Sequence, residues 1–173
     1  MTVNPDGIRV VEEVEQWFGR KYPNADWRSR KFDCFSNVPT ALRMFPMMGH
    51  LEAEIVNGGL AQFLWNTFFH WERVLSECEQ AYQTIGALRH AIAIPVLRTR
   101  ILENVDACRR HVEKAIQHQD PDEFERWYDN AEQTMSIPEE ESFSDTDDLD
   151  AYRSKWAACN AALLRRLMSN ALG

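Results

Sequence analysis

The chain has 173 residues, 45% of them hydrophobic and 11% aromatic, which suits one folded domain with a sizeable core and excludes a disordered chain. Seven Gly and seven Pro exclude collagen-like and linker-dominated architectures. With 27 Asp+Glu against 19 Lys+Arg the net charge is −8, which excludes a generic basic nucleic-acid binder.

Helical periodicity runs through nearly the whole chain, and no segment alternates with period two beside a hairpin turn. The expected fold class is therefore all-α, one compact multi-helix domain over residues 1–173. Ile8, Val11, Val14, Trp17 and Phe18 recur at three- and four-residue steps behind Asp6, which the pattern makes an N-cap. Pro23, Pro39 and Pro46 punctuate residues 22–46, leaving room for short helices only. Met47 to Val56 reads as a helix stopped by Asn57-Gly58-Gly59, where Asn or Gly accepts the left-handed conformation. Leu60 to Ile85 continues as a helix rich in Phe and Trp and closes at Gly86. Ala87 to His118 follows, with Pro95 expected to break or kink it. Asp120 as N-cap, Pro121 at the first helical position and Glu123 completing a capping box predict a helix to about Met135. Ser136 to Thr146 is a polar, acidic loop, and Asp147 or Asp148 opens a last helix that reaches Met168.

The N-terminal residues Asp6, Arg9, Glu12 and Glu13 stand where a signal peptide needs an uncharged apolar stretch. The longest run without formal charge, Ile55 to Trp71, carries Asn57, Gln62, Asn66 and His70, so no membrane span is expected. Cys34, Cys78, Cys108 and Cys159 lie far apart with no C-x-x-C, the pattern of reduced thiols in a cytoplasmic protein.

The charge is not spread evenly. Residues 120–150 hold thirteen acids against one base, Arg126, for −12; the remaining fourteen acids and eighteen bases sum to +4. Asp120 and Glu123 serve a helix start, and Asp147, Asp148 and Asp150 complement the N-terminal dipole of the last helix. Asp122, Glu125, Asp129 and Glu132 have no such use, because steps of three, four and three place them on one helical stripe. Phe124, Trp127, Tyr128, Ala131 and Met135 form the opposite, apolar face. Ten residues at ~1.5 Å rise make the stripe ~15 Å long. Like charges at these spacings oppose the helix by a few tenths of a kcal/mol per pair. Duplex DNA sets a phosphate every ~3.4 Å along each strand, a comparable linear density of charge. Glu139, Glu140, Glu141, Asp145, Asp147, Asp148 and Asp150 extend the negative field beyond the stripe. A merely solvated acidic face is the competing reading of the same run.

Other chemistry is sparse. His50 and Glu54 are spaced i, i+4 on a helix, a geometry capable of holding a metal, but no third ligand completes a motif, so no metal and no cofactor is expected. His70, His90, His111 and His118 are scattered and expected at surface or boundary positions. No G-x-S-x-G, P-loop or G-x-G-x-x-G occurs, so no catalytic residue is assigned. The run Phe63, Leu64, Trp65, Phe68, Phe69, Trp71 reads as core or dimer interface.

The segment from Glu54 through Asn57-Gly58-Gly59-Leu60 to Gln62-Phe63 and Asn66 resembles E-x-x-N-G-G-[F/L]-x-Q-[F/Y]-x-x-N, followed by an I-G-A element, here Ile85-Gly86-Ala87. That signature is similar to the one of a small all-helical family, the bacterial DNA-mimic proteins of the "DNA-mimic protein nineteen" type, over roughly Met47 to Asn104. Val56 departs from it where relatives often carry a second Asn. The resemblance implies an acidic homodimer that occupies the DNA-binding surface of a helix-turn-helix transcription factor, with no direct contact to nucleic acid. Glu54, Asn57, Gly58, Gly59, Gln62 and Asn66 are read as structural: a tight turn whose backbone Gln62 and Asn66 could hydrogen-bond.

Two functional classes stand against each other on this sequence. A non-enzymatic DNA mimic would pair its carboxylates with the Arg and Lys that ordinarily hold phosphates. An acidic adaptor module would meet a partner unrelated to DNA. A hydrolase, the third class, needs a deep pocket with convergent polar groups. The 19 aromatics, six of them Trp, also exceed what an all-α monomer core of this size usually needs, which favours a dimer.

Overall fold

In a computed structural model the described residues are 2–30, 35–136 and 149–171. They form seven α-helices and no strand: α1 (Pro5–Lys21), α2 (Thr40–Asn66), α3 (Trp71–Ile85), α4 (Leu88–His118), α5 (Glu123–Thr134), α6 (Leu149–Cys159) and α7 (Ala161–Asn170). The all-α reading holds for them. They differ from the sequence pattern in seven places, each with a local cause.

The N-cap of α1 is Asn4, not Asp6: its side chain accepts from the Asp6 and Gly7 N–H groups at 3.0 and 3.1 Å, and Pro5 takes the first helical position. The second helix starts at Thr40, seven residues before Met47, and runs through Pro46. Burial of Leu42, Met44, Phe45, Met47 and Met48 outweighs the backbone hydrogen bond that the proline forfeits. Asn57-Gly58-Gly59 does not end that helix but bends it. Gly58 is extended, with φ −163°, and Gly59 has φ +69° and ψ −171°, a combination open essentially to glycine alone. The predicted helix 60–85 is interrupted at Thr67–His70, where Thr67 Oγ1 donates to the Phe63 carbonyl, and restarts at Trp71. Pro95 lies inside α4, which continues to His118; the predicted break at Gly86, with φ +84°, is where α3 stops.

The start of α5 also shifts. Asp120 Oδ1 accepts the Asp122 N–H at 3.0 Å in a turn, and the helix begins at Glu123 with no side-chain cap. Glu123 does not close a capping box, because a histidine and an arginine already hold its carboxylate. The last predicted helix is two: Asn160 interrupts it, donating its side-chain amide to the Trp156 carbonyl at 2.9 Å. Its proposed caps, Asp147 and Asp148, lie outside the described residues.

α2 is the hub. It packs on α1, α3, α4, α5 and α7, and Leu42, Met47, Met48, Leu51, Phe63 and Leu64 are sealed from solvent along it. The closest packing is α1 on α6, where a Cβ on Gly7 would come 1.7 Å from the Ser154 carbonyl oxygen. Ser154 Oγ in turn accepts the Asn4 N–H at 3.0 Å. Across α2, α3 and α6, Tyr82 Oη donates to Glu52 at 2.8 Å and Arg153 pairs with the same carboxylate.

The aromatic run resolves as core. Phe63, Leu64 and Trp71 are buried, and Trp65, Phe68 and Phe69 pack partly buried against them. No aromatic stands among the exposed large hydrophobic residues described. His90 corrects an expectation: it is 5% exposed, with its ring 5.2 Å from Tyr82. Cys78 and Cys108 are buried free thiols, Cys159 is an exposed one, and Cys34 lies outside the described residues.

Gly59→Ala should lower unfolding stability by about 1–3 kcal/mol. A Cβ there meets nothing within 4 Å, so the loss would be purely conformational. Urea titration checks it, and an unchanged midpoint would mean that the bend relaxes without glycine.

Candidate functional site

α5 lies on α4 and α2, and its apolar side fixes how its acidic side faces. Trp127, Ala131 and Met135 are buried, and Phe124 and Tyr128 are half-buried. Trp65 of α2 stacks on Trp127 with centroids 5.7 Å apart and meets Phe124 at 5.3 Å. At the far end Thr134 Oγ1 donates to Asn104 Oδ1 of α4 at 3.0 Å. Asp122, Glu125, Asp129 and Glu132 therefore all point outward and are exposed, as their spacing predicts.

The single base of the segment does not neutralise them. Arg126 turns toward the start of the helix, bonding Glu123 at 3.0 Å and pairing with Asp120. His111 of α4 meets the other Glu123 oxygen at 2.7 Å. The hydrogen bond from His111, then that from Arg126, holds the Glu123 carboxyl below the usual carboxylate range despite its desolvation. Asp120 is lowered as well, first by the Asp122 N–H and then by Arg126. These two acids, with Arg126, form a closed cluster that builds the helix start. Among the described residues none of the four stripe acids is in an ion pair. Asp122, Glu125 and Asp129 leave their charge to solvent, and Glu132 stands beside the Tyr128 hydroxyl.

The rest of the predicted negative field divides. Asp150 is exposed at the start of α6 and pairs with Arg153 at 3.3 Å. It belongs to a separate cleft of about 320 Å³ between α1 and α6, with Glu12 and Glu15. Burial raises the Glu15 carboxyl there. Glu139, Glu140, Glu141, Asp145, Asp147 and Asp148 lie outside the described residues. Sequence spacing had missed Glu12 and Glu15, which only the packing of α1 on α6 brings to Asp150.

The signature residues form a clasp rather than a turn brace. Gln62 Nε2 and Asn66 Nδ2 do not reach the backbone of the bend; both donate to Glu54 Oε2, at 2.9 and 2.7 Å. One carboxylate before the bend thus holds two amides after it. Asn57 is exposed, and so is Val56. His50 Nδ1 stands 3.8 Å from the other Glu54 oxygen, and its ring stacks on Trp27 at 3.9 Å and 6°. No group of three potential metal ligands occurs among the described residues.

A second cleft, about 370 Å³, opens where the bend of α2 faces α5. Ile55, Leu60, Ala61 and Met135 line its floor, with Val56, Gly58 and Gly59 on one side and Tyr128, Glu132 and Ser136 on the other. It joins the signature to the acidic stripe, through residues that sequence reasoning had kept apart. The i, i+4 spacing of Tyr128 and Glu132 was the available signal.

The model of one protein family, described as DMP19-like protein, matches residues 36–166, most of the chain and all of the helices from α2 to α6. No curated protein and no solved structure matches the chain.

Two imidazoles tie this interior to pH. Burial lowers His90 to about 4, with Arg153 and Arg89 adding to it, and burial lowers His50 to about 4 against the pull of Glu54. In the unfolded chain both take a proton near 6.5, so protons favour unfolding. Stability is then whole above that value and falls as pH drops from 6.5 toward 4. Denaturant titration at pH 7 and pH 5 should differ by on the order of 1–3 kcal/mol, discounted for partial burial. His90→Gln should lose part of that slope whatever its stability at pH 7; a slope identical to the parent's would assign the effect elsewhere.

Proposed function

We propose, for a chain that belongs to the DMP19-like protein family, that it is a non-enzymatic DNA mimic acting in the cytoplasm. It occupies the DNA-binding surface of a helix-turn-helix transcription factor and so keeps that factor from its operator. The observation that carries this reading is the α5 stripe: four exposed carboxylates on one helix face, outside any described ion pair, with Arg126, the only base of residues 120–150, occupied by Asp120 and Glu123. The family match supports the same direction, since the resemblance that the signature carries is to DNA-mimic proteins. Arg and Lys that ordinarily position a protein on phosphates would instead meet these carboxylates in charge-assisted hydrogen bonds. No helix among the described residues is long and apolar enough to cross a membrane.

The mimic works as a homodimer in this reading, and α4 supplies the face for it. Leu88, Ile92 and Leu102 are 60%, 73% and 58% exposed, and with Pro95 and Thr99 they follow alternating steps of four and three along one side of α4. That spacing is the seam of a two-helix coil. A second copy running antiparallel about a two-fold axis sets Ile92 against Leu102 of the other copy. An isologous pair of this kind holds two acidic faces in a fixed relation, as a palindromic operator holds its phosphates.

Replacing Asp122→Asn, Glu125→Gln, Asp129→Asn and Glu132→Gln together should leave the melting temperature unchanged or slightly raised, because the like-charge repulsion is relieved. Capture from cell extract with the parent protein should recover a basic DNA-binding protein that duplex DNA displaces. The fourfold variant should bind that protein more weakly, by up to roughly 1.5–3 kcal/mol for each well-formed pair lost. The parent's own affinity should fall as salt rises. Equal affinity in the variant would reduce the stripe to a solvated face, and a captured protein indifferent to DNA would favour the adaptor.

Sedimentation should show twice the 20.2 kDa chain mass at micromolar concentration. Ile92→Asp with Leu102→Asp should return it to a monomer with little change in melting temperature, since both side chains are exposed in the single chain. A monomer in the unaltered protein would refute the α4 pairing.

A further inference from the structure

We infer that the cleft between the bend of α2 and the last turn of α5 is an anchor pocket for one arginine side chain of the partner. The inference rests on the reading of α5 as the contact face for the owner of that arginine, and on the cleft itself for its chemistry.

The cleft is small, about 370 Å³, which suits a side chain and not a helix. Its floor is apolar: Ile55, Leu60 and Met135 are buried core residues whose outer atoms reach it. One wall has no side chain at Gly58 and Gly59: a Cβ built on Gly59 would meet nothing within 4 Å, so the wall opens onto space there, whereas one on Gly58 would run into the Gln62 side chain. The opposite wall carries Tyr128 and Glu132. Burial and the Glu132 carboxylate, which takes a hydrogen bond from it, raise the Tyr128 hydroxyl. Tyr128 and Glu132 thus share one wall of the cleft.

An apolar floor with one carboxylate on its wall fits a side chain that is apolar along its stem and cationic at its tip. Arg and Lys both answer that description, and the tyrosine decides between them. A guanidinium is planar, weakly hydrated and able to lie on an aromatic face while giving a carboxylate two parallel hydrogen bonds. An ammonium would surrender a tighter hydration shell to enter the same space. The occupant belongs to another molecule of basic character, because Glu132 lines the cleft and the exposed Glu125 and Asp129 of the same helix are, like it, in no described ion pair. On this reading the bend in α2 has a second use. It orients the helix, and it leaves beside the acidic stripe a recess that exposed carboxylates alone do not provide.

The test is a titration of the full-length isotope-labelled chain with acetyl-argininamide, followed by amide chemical shifts. Saturable shifts are expected at Val56, Gly58, Gly59 and Ser136, with acetyl-alaninamide producing none. Glu132→Gln should weaken that binding by roughly threefold to tenfold. Val56→Trp, a change at an exposed rim position, should block it while the melting temperature holds. Shifts scattered over the acidic surface, or unmoved by either variant, would overturn the pocket. An equal response to acetyl-lysinamide would overturn the choice of guanidinium. Because the probe is a free amide, the outcome does not depend on what the protein captures from extract: a partner unrelated to DNA would sink the mimic and leave these shifts in place.

Discussion

A single carboxylate governs the course of α2, the helix with the most buried side chains among those described. Glu54 accepts from both Gln62 and Asn66 across the Gly58–Gly59 bend, so the two halves of α2 are tied to one point. A glycine pair alone would leave that angle loosely defined, since glycine admits many backbone conformations. The clasp selects one of them. Five other helices pack on α2, and their positions inherit that choice. The clasp is half-buried, where hydrogen bonds to a charged acceptor are worth more than neutral ones and where losing one leaves a desolvated charge.

The electrostatics of α5 follow a division of labour among acids of the same kind. Asp120 and Glu123 are spent on Arg126 and His111, and these contacts bind the helix start to α4. The stripe acids are left out of every such pair, although Arg126 is only one residue from Glu125 in sequence. The lean of helical side chains explains the separation: each points back toward the helix N-terminus, so Arg126 reaches Glu123 and Asp120 behind it and not Asp129 ahead, while Glu125 points about 100° away. The repulsion that remains is a few tenths of a kcal/mol per pair. Stacking of Trp127 on Trp65, with burial of Ala131 and Met135, exceeds that easily. The helix can carry an unneutralised charge because its other face is anchored, and such a charge has consequences for partners rather than for the fold.

Periodicity made the helices legible, and it failed where a single contact outweighed a local preference. Pro46 and Pro95 read as breaks, yet both are carried inside helices whose neighbours are buried on either side. Asp120 read as a cap, but its carboxylate serves a turn one step earlier while Glu123 is drawn off by His111, twelve residues back on another helix. His90 read as a boundary residue because nothing in its flanking sequence reveals that Tyr82 covers it. The acidic stripe was fully legible, since a spacing of three and four needs no tertiary information. Gln62 and Asn66 were legible as partners of something, and only the bend itself shows that the something is Glu54.

A family signature and an activity are usually argued from different residues, and here they meet. The signature contains one acid, Glu54, which is consumed by the clasp and contributes nothing to the outer field. The stripe lies outside the signature altogether. What connects them is geometry: bending α2 at Gly58–Gly59 brings the glycine backbone opposite Tyr128 and Glu132. A straight α2 would present ordinary side chains at those positions and close the recess. The bend therefore constrains both the core and the acidic surface beside it. On that account the signature residues meet two requirements at once, the path of α2 and the shape of the face that α5 presents. A change at the bend would disturb the surface even where it spared every carboxylate on it.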